Sequence, residues 1–157
     1  MRIPRDQMFM DIAHVVAKRS TCCRLNVGAV ITINNRIVSI GYNGAPSGAS
    51  HCAGNDCVGR TPGLCPTIHA EQNAIEYMPA EYKRAHNDAT LYVTEAPCLA
   101  CAGTINACLW IKRVVFSRPY RLRDGVDHLI KGGVNVEQVT SAGYIIDQAT
   151  GLVRDCT

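Results

Sequence analysis

The sequence TLYVTEAPCLAC, at residues 90–101, predicts a strand that leads into a helix. Thr90–Thr94 is rich in β-branched and aromatic residues, which are typical of strands. Pro97 occupies a position that proline favours at the beginning of a helix. Cys98 and Cys101 are three residues apart in the first turn, so both sulfur atoms lie on the same side of it. Because the start of a helix lowers the pKa of thiols, these two cysteines are suited to bind a metal as thiolates.

A second short motif, His69-Ala70-Glu71, lies upstream and begins another predicted helix. Together with Cys98 and Cys101, His69 completes a set of three ligands, which is the arrangement of a catalytic zinc site with an open fourth position. Zinc lowers the pKa of a bound water toward about 7, and a nearby carboxylate such as Glu71 can accept and return a proton. The two motifs together predict a hydrolytic zinc site.

A Cys-x-x-Cys pair alone is a weak signal, because it also occurs in redox-active pairs and in structural zinc sites. The order His-x-Glu followed by Pro-Cys-x-x-Cys, each at the beginning of a helix, matches the signature of the zinc deaminases. We therefore favour a catalytic zinc site over the redox and structural alternatives.

The remaining segments predict an α/β fold with a mixed sheet. From residue 69 onward predicted strands and helices alternate, which favours parallel pairing with helices on both faces of the sheet. Asn34-Asn35 predicts a tight turn between two earlier strands, which form an antiparallel hairpin. The predicted helices are Asp6–Lys18, His69–Met78, Cys98–Leu109 and Leu122–Lys131, and the predicted strands are Val27–Ile33, Arg36–Tyr42, Thr90–Thr94, Arg113–Ser117 and Val134–Val139. No linker interrupts the chain, so we expect a single domain at residues 1–157, with a possible hairpin in the tail at 141–157.

The composition narrows the class of protein. Charged residues make up only 18% of the 157 residues and hydrophobic residues 47%, which favours an oligomer in which other subunits cover part of the surface. A net charge of +3 without a long basic run argues against nucleic-acid binding and suits a small anionic substrate. No stretch has the roughly 20 apolar residues of a membrane span, and residues 1–10 lack the apolar core of a signal peptide. We therefore expect a cytoplasmic protein without a membrane partner.

Nine cysteines in a cytoplasmic chain suggest metal binding, since disulfides are rare in that compartment. Seven of them lie outside the catalytic motif, and four of these match the ligand number of a closed tetrahedral zinc site: Cys22, Cys52, Cys57 and Cys65. His51 is the expected substitute if one thiol is not used. The alternative is that these cysteines are small buried residues, which is how we interpret Cys23, Cys108 and Cys156.

The sequence resembles the cytidine deaminase superfamily and, within it, the deoxycytidylate (dCMP) deaminase family. The resemblance covers roughly residues 5–140. It is carried by the motifs VGAVI at 27–31, GYNG at 41–44, HAEQNAI at 69–75, LYVT at 91–94 and PCLACA at 97–102. Ser20-Thr21-Cys22 with Arg24-Leu25 is similar to the bacterial branch that includes late-competence proteins, and a phage-like branch is the alternative.

This resemblance implies a three-layer α/β/α fold with a five-stranded mixed sheet and hydrolysis of dCMP to dUMP and ammonia, which feeds thymidylate synthesis. It implies zinc ligation by His69, Cys98 and Cys101. Glu71 is then the catalytic residue that takes a proton from water, passes it to ring N3 and later assists the departure of ammonia. The implied substrate-binding residues are Ala70 at the exocyclic end of the base, Asn43 at the sugar hydroxyl, and Gly28 and Ala29 along the base. Arg24 is the first candidate for the 5′-phosphate, and Arg60 and Arg118 are weaker ones.

Some members of the family carry a second, structural zinc, and Cys22 and Cys52 match ligand positions there. Some members are also hexamers that bind dCTP as an activator and dTTP as an inhibitor. Gly41, Tyr42 and Gly44 match that allosteric segment. We therefore expect a homo-oligomer, a hexamer by resemblance, and possible nucleotide effectors.

Two alternatives to dCMP deamination stay open from the sequence. The first is a deaminase of another substrate, such as cytidine, a modified dCMP, guanine or tRNA adenosine. The modest net charge argues against tRNA. The second is a non-catalytic zinc-stabilised interaction protein with the same fold. It is disfavoured because Glu71 and all three zinc ligands are present.

Overall fold

The computed structural model describes residues 2–52, 57, 64–84 and 87–156. The predicted helices and strands are all present, with ends that differ from the prediction by at most two residues. The helices are α1 (Arg5–Ala17), α2 (Ala70–Glu76), α3 (Leu99–Ala107) and α4 (Asp124–Lys131), with a short 3₁₀ turn at Ala80–Tyr82. The strands are β1 (Gly28–Ile33), β2 (Arg36–Tyr42), β3 (Ala89–Glu95), β4 (Ile111–Arg118), β5 (Asn135–Val139), β6 (Tyr144–Asp147) and β7 (Val153–Asp155).

All strands of the described chain form one mixed sheet in the order β2-β1-β3-β4-β5-β6-β7. β3, β4 and β5 pair in parallel, whereas β1 pairs antiparallel with both β2 and β3. The expected number of five strands is wrong, because the C-terminal tail adds two more. The tail folds as an antiparallel hairpin of β6 and β7, and β6 pairs with β5 at the sheet edge.

Helices cover both faces of the sheet, as the alternation of helices and strands predicted. Successive side chains of a strand point to opposite faces. In β1, Ala29 and Ile31 pack in the core beneath α2, α3 and α4. Val30, between them, packs on the other face with Phe9 and Ala13 of α1. The result is an α/β/α arrangement in which α2 and α3 lie on the same side.

The hairpin between β1 and β2 is set by Asn34 and Asn35, whose φ angles of 50° and 58° lie in the left-handed region. Asparagine tolerates this conformation better than most residues, and two such residues form the turn that suits a twisted hairpin. The predicted tight turn is therefore confirmed.

A buried ionic network fastens α1 to the sheet. Arg113 in β4 donates two hydrogen bonds to the Asp6 carboxylate, at 2.7 and 2.8 Å, and a third to Glu137 at 2.6 Å. The Tyr92 hydroxyl also donates to Asp6, at 2.7 Å. Burial alone would raise the pKa of Asp6, but the bonds from Arg113 and Tyr92 outweigh it and hold the pKa below its usual value.

Among the described residues, no helix has the length and apolar character that crossing a membrane requires.

Candidate zinc site

The two sequence motifs meet because each begins a helix on the same face of the sheet. His69 is the residue immediately before α2, and Cys98 is the residue immediately before α3; both have extended backbone angles. The backbone N–H of His69 donates to the Gln72 side chain at 3.3 Å, which helps to fix the start of α2. β3 leads directly into Cys98, so the pair lies at the carboxyl end of that strand, where ligands bind in many α/β folds.

The donor atoms of His69, Cys98 and Cys101 form a compact cluster. His69 Nδ1 lies 3.2 Å from the Cys101 sulfur and 3.6 Å from the Cys98 sulfur, and all three donor atoms lie within 4.8 Å of one another. A tetrahedral zinc with ligands at roughly 2.0–2.3 Å separates its donors by about 3.5 Å. The three residues therefore fit zinc in both ligand type and spacing.

The pKa values of the two thiols of this cluster shift in opposite directions. Hydrogen bonds from Cys101 and His69 lower the pKa of Cys98 to about 3. The same contact with Cys98, together with burial, raises the pKa of Cys101. A bound cation such as Zn²⁺ favours the thiolate form of both cysteines.

Glu71 lies in the first turn of α2 and is 96% buried, since only 4% of its surface is exposed. Burial raises the pKa of its carboxyl group, and the nearby His69 opposes that shift. A carboxylate held beside three metal ligands, away from bulk water, is in position to exchange protons with a molecule bound at the open coordination position.

A cavity of about 390 Å³, which we call the site cavity, opens onto these residues. Several residues singled out by the sequence line it: Cys22, Arg24, Asn43, Cys65, His69, Ala70, Glu71 and Cys98. The other lining residues were not among the site residues predicted from the sequence: Leu25, Val27, Thr67, Glu95, Ala96 and Tyr120. Glu95 is the last residue of β3, and Tyr120 lies two residues after the end of β4. Ligands often bind at the carboxyl ends of parallel strands, and this rule could have identified both residues.

Asn43 lines the site cavity but is also bonded to the loop that precedes β1. Its side-chain oxygen accepts a hydrogen bond from the Val27 N–H at 2.8 Å, and its amide group donates to the Leu25 carbonyl at 2.7 Å. Its backbone carbonyl accepts a hydrogen bond from the Ser20 hydroxyl at 2.8 Å. Asn43 therefore holds residues 25–27 against the end of β2 and so fixes the position of Arg24.

Gly28 and Ala29 do not line the site cavity, although the resemblance placed them along the base. A side chain at Gly28 would lie only 2.1 Å from the Ala13 carbonyl oxygen, so this glycine is required where α1 packs closely on β1. Ala29 is fully buried in the core beneath α2 and α3. Among the described residues, Val27 lines the cavity at this end of the strand instead.

The three candidate phosphate-binding arginines have different positions. Arg24 lines the site cavity. Arg118 forms an ion pair with Glu95 and lines a neighbouring cavity instead. Arg60 lies outside the described residues.

Cys57 interacts with three other upstream cysteines, Cys23, Cys52 and Cys65. Partial desolvation and a hydrogen bond with Cys57 raise the pKa of both Cys23 and Cys52, and Cys22 contributes to both shifts. Cys23 and Cys52 therefore both lie near Cys57. Cys65 also interacts electrostatically with Cys57, contacts the Thr67 hydroxyl at 2.9 Å and lines the site cavity.

The remaining predicted residues are the other cysteines, His51 and the expected allosteric residues. None of the nine cysteines, all within the described residues, is disulfide-bonded. His51 lines a cavity with Cys22, Cys23 and Cys52. The expected allosteric residues Gly41 and Tyr42 line a further cavity of about 400 Å³. Gly44 does not line that cavity; a side chain there would clash with the Thr21 hydroxyl.

This fold and this donor set define a zinc-binding deaminase. The sequence model described as "Cytidine and deoxycytidylate deaminase zinc-binding region" matches residues 3–118. The match covers more than half of the chain, and the chain belongs to the cytidine and deoxycytidylate deaminase family.

Individual relatives point to one branch of that family. The chain is 38% identical over 147 residues to ComE operon protein 2 of Bacillus subtilis, covering 93% of this chain and 77% of the relative. It is 40% identical over 124 residues to the deoxycytidylate deaminase of Mycobacterium phage D29, covering 72% and 94% of the two chains. The crystal structure of the dCMP deaminase from cyanophage S-TIM5, in complex with dCMP and dUMP, matches with a TM-score of 0.74 and 34% identity, over 88% of this chain and 98% of that one.

Proposed function

We propose that this protein is a zinc-dependent dCMP deaminase that converts dCMP and water to dUMP and ammonia and so supplies thymidylate synthesis. The observation that carries the proposal is the cluster of His69, Cys98 and Cys101 beside buried Glu71, in a cavity that also contains Arg24. Similarity to a deaminase that binds dCMP and dUMP supports this choice of substrate.

His69, Cys98 and Cys101 hold the zinc ion, which when bound activates water as a nucleophile near neutral pH. Glu71 accepts a proton from the attacking water and delivers it to N3 of the cytosine ring. As the bond between C4 and oxygen forms, N3 carries the proton. When the C4–N bond breaks, Glu71 passes the second proton of the water to the departing amino group. Burial excludes bulk water from this carboxylate, which suits a group that must both accept and return a proton.

The remaining site residues orient the nucleotide. The Ala70 N–H lies at the N-terminus of α2, in the first turn, where backbone amides have no partner within the helix, and it faces the exocyclic end of the base. Arg24 binds the 5′-phosphate as the only lysine or arginine among the described residues that line the site cavity. Asn43 holds the Arg24 loop in place through its bonds to Val27 and Leu25. The second N–H of its amide group, which these bonds do not use, binds the sugar hydroxyl.

A second, structural zinc is bound by Cys22, Cys52, Cys57 and a fourth cysteine. The sequence predicts Cys65 as the fourth ligand, and Cys23 is the alternative. The contact of Cys57 with Cys52 supports both ligand sets. The interaction of Cys57 with Cys65 supports the predicted fourth ligand, and its hydrogen bond with Cys23 supports the alternative. Zinc content separates the two ligand sets: Cys65→Ala reduces it from two ions per chain to one under the predicted set, whereas Cys23→Ala does so under the alternative.

The enzyme assembles as a cytoplasmic homohexamer that binds dCTP and dTTP at the cavity containing Gly41 and Tyr42. The size of that cavity and the exposed apolar side chains of Ile40 and Tyr77, which line it, support this part of the proposal. Light scattering of the purified protein with and without each nucleotide tests the assembly.

Turnover of dCMP tests the proposed reaction. Zinc-loaded protein is incubated with dCMP, deoxycytidine or cytidine, with and without dCTP, and ammonia release is followed together with the loss of cytosine absorbance. We expect dCMP to be converted faster than either nucleoside. Absence of ammonia from dCMP in every condition, with zinc bound, would show that the proposal is wrong.

A further inference from the structure

An ion pair at the end of two adjacent strands separates the site cavity from a neighbouring one. Glu95 is the last residue of β3 and Arg118 the last residue of β4, and the two are paired in the sheet register. Their charged groups are in direct contact. The Glu95 side chain is 13% exposed and lines the site cavity, whereas Arg118 is 53% exposed and lines the second cavity.

The second cavity, which we call the basic cavity, has a volume of about 380 Å³. Its lining includes Lys18, Arg24 and Arg118, and no carboxylate among the described residues. Arg24 and Leu25 line both cavities, so the proposed phosphate ligand stands between them. Arg118 therefore lines the cavity on one side of Arg24, whereas Glu95 lines the site cavity, in which the proposed function places the 5′-phosphate.

The two charges of the pair have opposite effects on a bound phosphate. A phosphate monoester carries nearly two negative charges at neutral pH, so a carboxylate in the same cavity repels it. Burial raises the pKa of Glu95, and the contact with Arg118 opposes that shift; the guanidinium also offsets part of the field of the carboxylate. Such charges interact more strongly in a partly buried cavity than they do in bulk water.

We propose that Arg118 compensates the charge of Glu95 so that the 5′-phosphate of the substrate binds at Arg24, and that loss of either charge alone changes the preference of the site for nucleotides over nucleosides. Arg118 neutralises Glu95 enough for one phosphate to bind at Arg24, and Glu95 penalises ligands that bring more negative charge, such as the nucleoside diphosphate and triphosphate. Both residues are specificity-determining, and neither takes part in the proton transfers. This inference rests on the proposed function, since it concerns the phosphate of the same substrate.

The test uses both single variants and their combination. Glu95→Gln leaves Arg118 unpaired and should lower the KM for dCMP by about three- to tenfold, whereas Arg118→Gln leaves Glu95 unpaired and should raise it by about the same factor. The double variant Glu95→Gln/Arg118→Gln has the same net charge as the wild type at this position, and its KM should return to within about twofold of the wild-type value. With deoxycytidine, which has no phosphate, KM should change by less than about twofold in all three variants.

Arg123→Gln is the matched control, because Arg123 forms an exposed ion pair with Asp127 that lines neither cavity. It should leave the KM values of both substrates unchanged. Calorimetric binding of dCMP and dCDP to the same variants gives a second measurement that does not depend on turnover. Glu95→Gln should tighten the binding of dCDP at the site cavity by a larger factor than that of dCMP.

Equal shifts of KM for dCMP and deoxycytidine would overturn the inference, because they would indicate a structural role of the pair. Shifts of the same sign in both single variants would also overturn it. If the wild type deaminates neither substrate, the proposed function fails, and the inference is then decided by the calorimetric dissociation constants for dCMP. No binding of dCMP, or binding unaffected by either substitution, contradicts the inference as well.

Discussion

Replacing Asn43 with alanine should weaken the fold and the substrate site together, because this side chain joins the Arg24 loop to β2. The substitution removes the acceptor for the buried Val27 N–H and the donor to the Leu25 carbonyl. A buried polar group that loses its partner costs about 1–3 kcal/mol. The hydrogen bond to the Val27 N–H is buried, whereas the bond to the Leu25 carbonyl is only partly buried and contributes less. For the two bonds together we therefore expect a loss of about 3 kcal/mol in the free energy of unfolding.

Equilibrium urea unfolding at a fixed free zinc concentration measures this loss. Asn73→Ala is the control: its side chain donates one partly buried bond, to the Tyr42 carbonyl at 2.7 Å, so about 1 kcal/mol is expected. At a temperature where both variants are folded, Asn43→Ala should also raise the KM for dCMP more than Asn73→Ala does. The reasoning is refuted if Asn43→Ala is no less stable than Asn73→Ala, or if its KM stays at the wild-type value.

Three further predictions concern the active site, the ionic network and the second metal. Glu71→Gln should retain the catalytic zinc in a metal analysis yet lose about 10²-fold or more in kcat; activity within tenfold of wild type would exclude the proton-transfer role. Asp6→Asn should lower the free energy of unfolding at pH 7 by about 2–4 kcal/mol. The folded-state pKa of Asp6 lies below its usual 3.8, so its stabilisation is present above about pH 4 and is lost as the pH falls through the folded-state pKa. The free energies of unfolding of wild type and Asp6→Asn, plotted against pH, should therefore converge in acid. Parallel curves would contradict this. Cys57→Ala should reduce the zinc content from two ions per chain to one while the protein keeps its catalytic zinc. Cys108→Ala, at a cysteine outside both clusters, should leave the zinc content unchanged. Two zinc ions per chain in Cys57→Ala would rule out Cys57 as a ligand.

The catalytic cluster was predictable because its chemistry lies in short local motifs. His69 and Cys98 each precede a helix, and Cys101 follows one turn later, so sequence spacing alone determines most of their geometry. Alternating strands and helices likewise predicted the parallel part of the sheet. The central elements were therefore found within a few residues of their ends.

The details that the sequence did not reveal depend on contacts between distant segments. Gly28 resembles a pocket residue in its motif, but its lack of a side chain is required by the packing of α1, which sequence spacing does not show. The contribution of the tail to the sheet depends on the pairing of β6 with β5. Glu95 and Arg118 are 23 positions apart and become partners only through the register of β3 and β4.

The most direct test of the central claim is to identify the product formed from dCMP in water enriched in heavy oxygen. Zinc-loaded wild type and Glu71→Gln are incubated with dCMP, and the nucleotides are analysed by mass spectrometry. Hydrolytic deamination predicts dUMP carrying one heavy oxygen, together with an equal amount of ammonia, from the wild type, and far less from Glu71→Gln. Unchanged dCMP with the wild type, or equal conversion by the two proteins, would contradict the account.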